Sequence, residues 1–347
     1  MLHVDRENCF KELRASRRYS YLASFPLRSK KTAMFFKEAT EDCSPMHIKD
    51  LLFAVCPHLS AIKKERKDRI IKNIITLLRG RGQIIFPSGL TVRVDKENLK
   101  DVLNLYIFSL KYDVNLSYEW KFDAEKNVLT THTGIKFTIK GFDPIIFVET
   151  FLYDIHFIDF DLNGKTVVHA GAYVGDAALY YASKGATVYA FEPQPSCYNI
   201  ALKNLELNPE LKSKIILKNY AIGDDGEIEF PDMDCSGGAS YYNSYRRRVK
   251  IRSVSISTIL KEFDLDHPNI LDLDIKGNEF KVINDKSIEK FDIIRIEYNT
   301  VIDGKKIGDR DYLIERLKEY GFTKIRIYKH NELPLDLSTN GTIFAQK

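Results

Sequence analysis

Short apolar runs alternate with amphipathic stretches throughout the second half of the chain. Seven such runs predict strands: TVVHA (166–170), TVYAF (187–191), KIILKNYAI (214–222), NILDLDI (269–275), DIIRIEY (292–298), TKIRIYKH (323–330) and GTIFAQK (341–347). Between them, apolar residues recur three and four positions apart, which indicates helices with one buried face, the last of them over 311–320. Strands that alternate with helices favour an α/β fold. We therefore predict a doubly wound, mostly parallel, seven-stranded sheet whose last two strands form a hairpin.

The first 150 residues do not show this alternation, and they divide into two parts, one before and one after residue 80. Residues 1–57 mix charged and aromatic side chains without a clean period, whereas apolar residues over 60–79 recur at helical spacing. Residues 83–94 then predict a strand pair around a Pro-Ser-Gly turn, followed by a helix and by more strands over 120–139. We therefore expect an N-terminal helical region (1–80), a small α+β unit (81–150) and a main domain (151–347).

Composition and charge narrow the class of protein only slightly. The 347 residues carry 52 Lys and Arg against 48 Asp and Glu, a balance that by itself implies neither a nucleic acid nor an anionic membrane as partner. No apolar run reaches the ~18 residues of a transmembrane helix, and the N-terminus does not resemble a signal peptide. The five cysteines form no Cys-x-x-Cys pair, which argues against a zinc ribbon and a disulfide framework. We therefore expect a soluble, cytoplasmic protein, and we assign no metal ligands.

The segment from Val167 to Pro195 carries the clearest chemical signal. A buried strand runs into Gly171, whose missing side chain lets backbone N–H groups approach a ligand, and Gly175 permits close entry into the following helix. A dinucleotide site would normally have a second glycine two positions after the first. This chain has Tyr173 there, a side chain that would block the close approach of a pyrophosphate. The turn therefore disfavours a dinucleotide.

Glu192 supplies the second half of this predicted site. It lies 21 positions after Gly171 at the end of the second predicted strand, where a carboxylate can accept hydrogen bonds from both hydroxyls of a ribose. The joint spacing implies an adenosyl ligand, and S-adenosylmethionine, which has no phosphates, fits best. The alternative is that Gly171 and Gly175 are ordinary turn glycines and that Glu192 is a solvated strand end.

Several motifs occur in the order typical of one enzyme family: Gly171–Asp176 (GAYVGD), Phe191–Pro193 (FEP), Asn204 with Asn208, Gly237–Ser240 (GGAS) and Asp274–Glu279 (DIKGNE). In these motifs, from Thr150 to Thr300, the chain resembles the FkbM-type methyltransferases. The resemblance implies a class I methyltransferase fold, S-adenosylmethionine as donor, and methylation of a hydroxyl on a sugar, glycolipid or small metabolite. It also implies a set of donor-binding residues: Gly171, Ala172, Tyr173, Gly175, Asp176 and Glu192.

Two residues depart from the pattern of that family. His169 stands where the family usually has an aspartate, and Lys276 stands where it usually has a glutamate. An acid that helps to hold the donor would thus be missing, and a cation would lie near the acceptor. These departures leave open a non-catalytic binding protein that has kept the fold but lost turnover.

Acidic residues near the ends of the later strands are the candidate catalytic groups. Asp272 and Asp274 share one face of a strand, and Asp274 lies near the carboxyl end, which in an open α/β sheet faces the ligand crevice. Glu279 and Glu297 could converge on the same crevice. Methyl transfer to a hydroxyl needs a group that takes the proton, so Asp274 is the first candidate for the base and Glu279 the second. A metal-binding role, or a cap on the next helix, is the alternative for Asp274.

A basic and aromatic run, YYNSYRRRVKIRSV (241–254), suggests a second kind of partner. Such a run suits stacked bases and paired phosphates, although it is more often a solvated loop or strand face. An RNA methyltransferase is therefore the alternative to an enzyme with a small-molecule or carbohydrate acceptor, provided that the cluster from Arg246 to Arg252 lines the same cleft as Glu192. The chain has no Asn-Pro-Pro-Tyr string, which is typical of methylation of a base amine.

Overall fold

The chain forms two compact units that divide between Lys126 and Asn127. The structure, a computed structural model, describes residues 79–157, 160–243, 245, 247–329 and 336–347, together with Lys72, Asn73 and Thr76. Most of the predicted helix over 60–79 lies outside the described residues.

The described part of the first unit consists of a hairpin, a helix and a short strand. These elements are β1 (Gly82–Ile85), β2 (Thr91–Val94), α1 (Leu99–Lys111) and β3 (Lys121–Asp123). Strands β1 and β2 pair antiparallel, α1 buries Val102 and Leu105 on one face, and Phe86 packs edge-on against Tyr106. The strand pair and the helix that the sequence predicts here are thus confirmed.

The second unit begins with a hairpin and a short helix and continues as an α/β domain. Its strands are β4 (Val128–Thr130), β5 (Lys136–Thr138), β6 (Thr166–Ala170), β7 (Thr187–Phe191), β8 (Ile215–Lys218), β9 (Ala221–Ile222), β10 (Gly226–Pro231), β11 (Arg248–Val254), β12 (Ile270–Leu273), β13 (Ile293–Asn299), β14 (Val301–Ile302), β15 (Lys305–Lys306), β16 (Lys324–Tyr328) and β17 (Asn340–Gln346). Its helices are α2 (Pro144–Phe147), α3 (Asp176–Ser183), α4 (Pro195–Glu206), α5 (Pro209–Lys212), α6 (Ile256–Glu262), α7 (Glu279–Val282) and α8 (Arg310–Glu319). A π-helical turn, Val148–Leu152, continues α2. Within the described residues, no helix is both long enough and apolar enough to pass through a lipid bilayer.

Seven strands form the central sheet, in the order β16-β17-β13-β12-β6-β7-β8. Strands β13, β12, β6, β7 and β8 run parallel, and β17 is antiparallel to both of its neighbours. The structure therefore confirms the predicted α/β fold with a doubly wound, mostly parallel, seven-stranded sheet and a terminal hairpin.

The inner strands are largely apolar because helices cover both sides of the sheet. Val168, Leu271 and Ile294 are fully buried and share one core with side chains of α6 and α8. Burial of each such side chain stabilises the fold by about 1.5–3 kcal/mol. The strand order reverses at β6, with β7 and β8 on one side and β12 and β13 on the other. Such a reversal opens a crevice at the carboxyl ends of the strands, here between β6 and β12.

The structure contains strands that the sequence did not predict. The expected third strand over 214–222 breaks after β8, where Asn219 donates hydrogen bonds to the carbonyls of Glu192 and Pro193. Its last residues form β9, which pairs parallel with β11, and β11 pairs antiparallel with β10. These three strands make a separate small sheet beside the central one.

The two compact units divide earlier in the chain than the boundary expected between 150 and 151. Within the second unit, the side-chain amides of Asn204, in α4, and Asn208, just after it, hold β5 in place. Asn208 accepts the Lys136 N–H at 2.9 Å and donates to the Lys136 carbonyl at 2.7 Å, and Asn204 accepts the Thr138 N–H at 2.8 Å. The partners are far apart in the sequence, so no local pattern reveals these contacts.

A disulfide joins Cys197, in the first turn of α4, to Cys235. The sequence argument against a disulfide framework missed this bond. The two cysteines are 38 positions apart, and only the fold brings their Cα atoms to 4.7 Å.

Candidate active site

A pocket occupies the crevice at the carboxyl ends of β6 and β12, and all of its lining residues belong to the second unit. Its volume is about 1270 Å³, the open mouth included. Four of the six residues predicted to bind the donor line it: Gly171, Tyr173, Asp176 and Glu192. Asp274, the first candidate for the base, lines it as well.

Two turns with left-handed backbone angles meet at the floor of this pocket. Gly171 and Tyr173 have φ angles of 93° and 48°, and Lys276, in the facing turn, has a φ of 46°. A Cβ atom on Gly171 would lie 2.0 Å from the carbonyl oxygen of Asp274, so only glycine lets the two turns approach this closely. Left-handed angles at residues other than glycine cost about 1–3 kcal/mol each, and such strain is typical of functional sites.

Glu192 points from the end of β7 at the first of these turns. Its Oε2 accepts the Tyr173 N–H at 2.7 Å, and its Oε1 accepts the Gln194 N–H at 2.8 Å. Burial raises the pKa of Glu192 to about 8, against the lowering effect of the two N–H donors. Each oxygen keeps a lone pair that can accept a hydrogen bond from a ligand hydroxyl. Since the residue is only 6% exposed, the alternative of a solvated strand end is wrong.

Ala172 and Gly175, also predicted to bind the donor, do not line the pocket. Ala172 is fully buried, and its carbonyl accepts the Gly175 N–H at 2.7 Å. A Cβ atom on Gly175 would meet side chains of Ala201 and Leu205 in α4 at 3.5 Å. The two residues shape the turn and pack it against α4, so a direct contact with the donor is not supported.

Asp176 begins α3 and belongs to a short polar chain on the pocket wall. Its Oδ2 accepts a hydrogen bond from the Thr150 hydroxyl at 3.2 Å, and the Thr150 oxygen lies 3.2 Å from Nε2 of His156. Burial raises the pKa of Asp176 to about 6 and, together with Arg295, lowers the pKa of His156 to about 3, which keeps that ring neutral. Thr150 and His156 also line the pocket. They belong to no motif, so they could not be predicted from the sequence.

A row of charged residues crosses the sheet at the pocket floor. His169, Asp272 and Arg295 lie side by side in register on β6, β12 and β13. Asp272 accepts a hydrogen bond from Arg295 at 2.8 Å and another from the Tyr181 hydroxyl at 2.6 Å, and its Oδ2 lies 3.0 Å from Nδ1 of His169. All four residues, His169, Asp272, Arg295 and Tyr181, are at most 3% exposed.

The charges of this row compensate one another. Burial raises the pKa of Asp272, but Arg295 and His169 lower it by more, so the carboxylate stays ionised. Burial lowers the pKa of His169, and Asp272 raises it by more. His169, which departs from the family pattern, is therefore a buried imidazole with an acidic partner on the next strand.

Lys276 lies between two carboxylates at the edge of the same floor. Its Nζ is 2.7 Å from Oδ1 of Asp274 and donates a hydrogen bond to Oε1 of Glu297 at 2.6 Å. Arg295 lies 3.5 Å from the other oxygen of Glu297 and so connects this trio to the row. Burial and Glu297 raise the pKa of Asp274, while Lys276 lowers it. Burial would lower the pKa of Lys276, but the two carboxylates raise it.

Glu279, the second candidate for the base, does not line the pocket. It is fully buried at the start of α7, and neither of its carboxylate oxygens has a hydrogen-bond partner among the described residues. Burial raises its pKa to about 8. The turn of the helix places Asn278 and Lys281 on the pocket side instead. This geometry does not support a catalytic role for Glu279.

The segment 232–243 forms one wall of the pocket and is fastened at both ends. At its start, the side-chain amide of Gln194 donates to the carbonyl of Asp234 at 2.8 Å, next to the disulfide described above. Towards its end, the Ser240 hydroxyl donates to the carbonyl of Lys276 at 2.6 Å. The wall therefore links the end of β7, which carries Glu192, to the strained turn that carries Lys276.

The basic run extends into strand β11, and three of its described cations are paired with acids: Arg247 with Asp232 at 2.9 Å, Lys250 with Glu227 at 2.7 Å and Arg252 with Glu262 at 2.7 Å. Arg248 donates instead to the backbone carbonyls of Glu229, Tyr241 and Asn243. Among the described residues between 247 and 252, no arginine or lysine lines the pocket. The run therefore does not supply the cationic lining that the RNA alternative requires.

Comparison with known proteins shows what the region around this site is similar to. Residues 169–324 match the Methyltransferase FkbM domain. A curated relative, "Methyltransferase sdnD" of Sordaria araneosa, is 25% identical over 191 residues, which are 45% of this chain and 73% of that protein. Among solved structures, the precorrin-6y C5,15-methyltransferase of Geobacter metallireducens GS-15 is 12% identical with a TM-score of 0.32, and covers 53% of this chain and 81% of its own. A METTL16 methyltransferase domain is 12% identical with a TM-score of 0.39, and covers 85% and 94%.

Proposed function

We propose that the chain, whose residues 169–324 match the Methyltransferase FkbM domain, is an S-adenosylmethionine-dependent methyltransferase that methylates a hydroxyl group of a sugar, glycolipid or small metabolite. One observation carries the proposal: Glu192, the turn at Gly171 and the carboxylate of Asp274 line the same pocket. The lining of this pocket extends from Glu192, on the proposed donor side, to Asp274 and Lys276, on the proposed acceptor side.

The donor side of the pocket fits an adenosyl group. Two ribose hydroxyls would donate to the free lone pairs of Glu192 and so favour its ionised form over the neutral form that burial favours. Apolar side chains on the pocket wall, among them Ile222 and Phe230, suit the faces of a purine ring. When bound, S-adenosylmethionine supplies an electrophilic methyl group on a sulfonium centre.

On the acceptor side, we assign Asp274 the role of the base that takes the hydroxyl proton. It lies at the carboxyl end of β12, and its carboxylate is partly exposed to the pocket. The protein's main task in such a displacement is to hold the acceptor oxygen in line and to exclude water. The segment 232–243, fastened as described above, forms one side of the pocket and would help to exclude water.

The charge pattern favours a small acceptor over RNA. Backbone phosphates need cations that are free to pair with them, and binding strength follows the number of such contacts. Arg247, Lys250 and Arg252 are paired with acids, Arg248 donates to backbone carbonyls, and none of the four lines the pocket. RNA therefore enters the test below as a competing acceptor.

Calorimetric titration with S-adenosylmethionine tests the donor side. We expect the variant Glu192→Ala to lose at least tenfold in affinity, which corresponds to ~1.4 kcal/mol. Glu227→Ala, an acidic residue of the exposed ladder between β10 and β11, is the matched control and should bind like the natural protein. Equal affinity of the two variants would contradict the assignment of Glu192.

Transfer of a labelled methyl group to carbohydrate, lipid and RNA fractions tests the acceptor side. We expect label in the carbohydrate or lipid fraction, and a loss of about 10²–10⁴-fold in turnover for Asp274→Asn with donor binding retained. Label confined to RNA would overturn the proposed acceptor, and full turnover of Asp274→Asn would remove Asp274 as the base.

A further inference from the structure

Asp274, Lys276 and Glu297 meet at the pocket floor, and the proposed mechanism assigns a role only to Asp274. We propose that Lys276 is a positioning residue whose ammonium holds Asp274 and Glu297 side by side in their ionised forms, and thereby keeps Asp274 ready to accept the proton of the acceptor. This inference rests on the proposed function, in which Asp274 is the base.

The contacts show why a cation is needed at this point. Oδ1 of Asp274 and Oε1 of Glu297 lie 2.7 Å and 2.6 Å from the same Nζ atom of Lys276. Two carboxylates this close disfavour each other's charge, and in the absence of a cation one of them would take up a proton. A neutral Asp274 cannot act as a base. Lys276 removes this conflict because its positive charge lies within ion-pair distance of both carboxylates, and its ammonium donates a hydrogen bond to Glu297.

No other described cation lies within ion-pair distance of Asp274. Arg295 instead donates a hydrogen bond to Asp272 at 2.8 Å and lies 3.5 Å from Glu297. The other titratable groups that act on Asp274 from neighbouring elements are mostly acidic: Asp176 on α3, Glu192 after β7 and Glu279 on α7, together with His169 on β6. Lys276 therefore works against a surplus of negative charge.

The backbone directs the lysine into this position. Lys276 has a left-handed φ of 46°, which a lysine adopts only at a cost of about 1–3 kcal/mol. The Ser240 hydroxyl holds the Lys276 carbonyl at 2.6 Å and so stabilises the turn from the pocket wall. The FkbM-type methyltransferases that the chain resembles usually have a glutamate at this position. A glutamate here would add a third carboxylate beside Asp274 and Glu297. The lysine thus gives this chain a different charge arrangement at the same position.

A carboxyl titration by NMR tests the inference on the full-length protein. Aspartate labelled with ¹³C at its side-chain carboxyl is incorporated, and Asp274→Asn identifies the signal of Asp274. We expect Lys276→Met to raise the pKa of Asp274 by about 1–3 pH units, because an opposite charge in contact lowers a carboxyl pKa by that amount. Lys276→Arg, which keeps the charge, should stay close to the natural protein. Lys281→Met is the matched control, since Lys281 lines the pocket but has no acidic partner among the described residues.

The outcomes separate this inference from the proposed function. An unchanged titration of Asp274 in Lys276→Met, or an equal shift in Lys281→Met, would overturn the role of Lys276. The titration needs no acceptor, so it can succeed even if the assignment of the acceptor fails. With any hydroxyl acceptor found in the transfer experiment, the acid limb of the pH profile of kcat should move upward in Lys276→Met and return in Lys276→Arg. If Lys276→Met does not fold, Lys276→Gln is titrated in the same way. An unchanged pKa of Asp274 in Lys276→Gln would then overturn the inference.

Discussion

Gly171 decides how closely the two turns of the pocket floor can approach. A Cβ atom there would lie 2.0 Å from the carbonyl oxygen of Asp274, whose own N–H is hydrogen-bonded to the carbonyl of Ala170 at the end of β6. We expect Gly171→Ala to lower the free energy of unfolding by about 3–5 kcal/mol. Gly164→Ala is the control, since that glycine also has a left-handed φ but its Cβ would meet nothing within 4 Å. Urea denaturation should show a loss of only about 1–2 kcal/mol for the control, and equal losses would refute the close-approach argument.

Glu279 should make the stability of the protein depend on pH. Burial raises its pKa from the usual 4.5 to about 8, so the folded state binds this proton more tightly than the unfolded state. Its contribution to stability is therefore complete below the unfolded pKa and is lost as the pH rises to about 8. Glutamine mimics the protonated form at every pH. We expect Glu279→Gln to gain on the order of 2–4 kcal/mol at pH 8 relative to the natural protein, and little at pH 4.

The control for this residue is an exposed glutamate on a helix of the same unit. Glu315→Gln on α8 should change the free energy of unfolding by a similar small amount at both pH values. Chemical denaturation at several pH values measures both variants. A gain for Glu279→Gln that is the same at pH 4 and pH 8 would mean that the carboxylate is not the cause.

At the scale of elements, prediction succeeded where a segment repeats its apolar spacing and failed where distant contacts decide. β6, β7 and α8 follow from periodicity alone, and the structure has them at the expected residues. The break after β8 depends on Asn219, whose side chain competes for carbonyls of another segment. β10 and β11 do alternate polar and apolar residues, which is the pattern of strands with one buried face. Their pairing with each other and with β9 depends on the fold.

The pocket wall 232–243 depends on the disulfide that the sequence did not reveal. If the bond between Cys197 and Cys235 restrains this segment, Cys197→Ala should lower the free energy of unfolding by about 2–4 kcal/mol. Hydrogen exchange within 232–243 should accelerate, although the hydrogen bonds of Gln194 limit the effect. A reductant should produce the same change in the natural protein and none in the variant. Unchanged exchange in reduced protein would show that the amide contacts suffice.

At the scale of the whole molecule, the sequence predicts the turn and the acid of the proposed donor side, whereas the charged contacts of the proposed acceptor side depend on the fold. The turn at Gly171 and the acid at Glu192 belong to one strand-turn-helix-strand segment, so their spacing carries the information. The row of His169, Asp272 and Arg295 depends on the register of three strands that are far apart in the chain. Lys276 stands out in the sequence as a departure, but its two carboxylate partners can be assigned only from the fold.

Binding of the demethylated product should stabilise the folded protein as a whole. A ligand at 100 times its dissociation constant adds about 2.7 kcal/mol to the free energy of unfolding, which raises the melting temperature of a unit of this size by several degrees. We expect S-adenosylhomocysteine to shift the natural protein and Asp274→Asn equally, because Asp274 lies on the acceptor side. Glu192→Ala should show at most about half of this shift at the same concentration, since a tenfold loss of affinity leaves the ligand at only about 10 times its dissociation constant. Differential scanning calorimetry measures all three proteins, and a full shift in Glu192→Ala would mean that the adenosyl group binds elsewhere in the pocket.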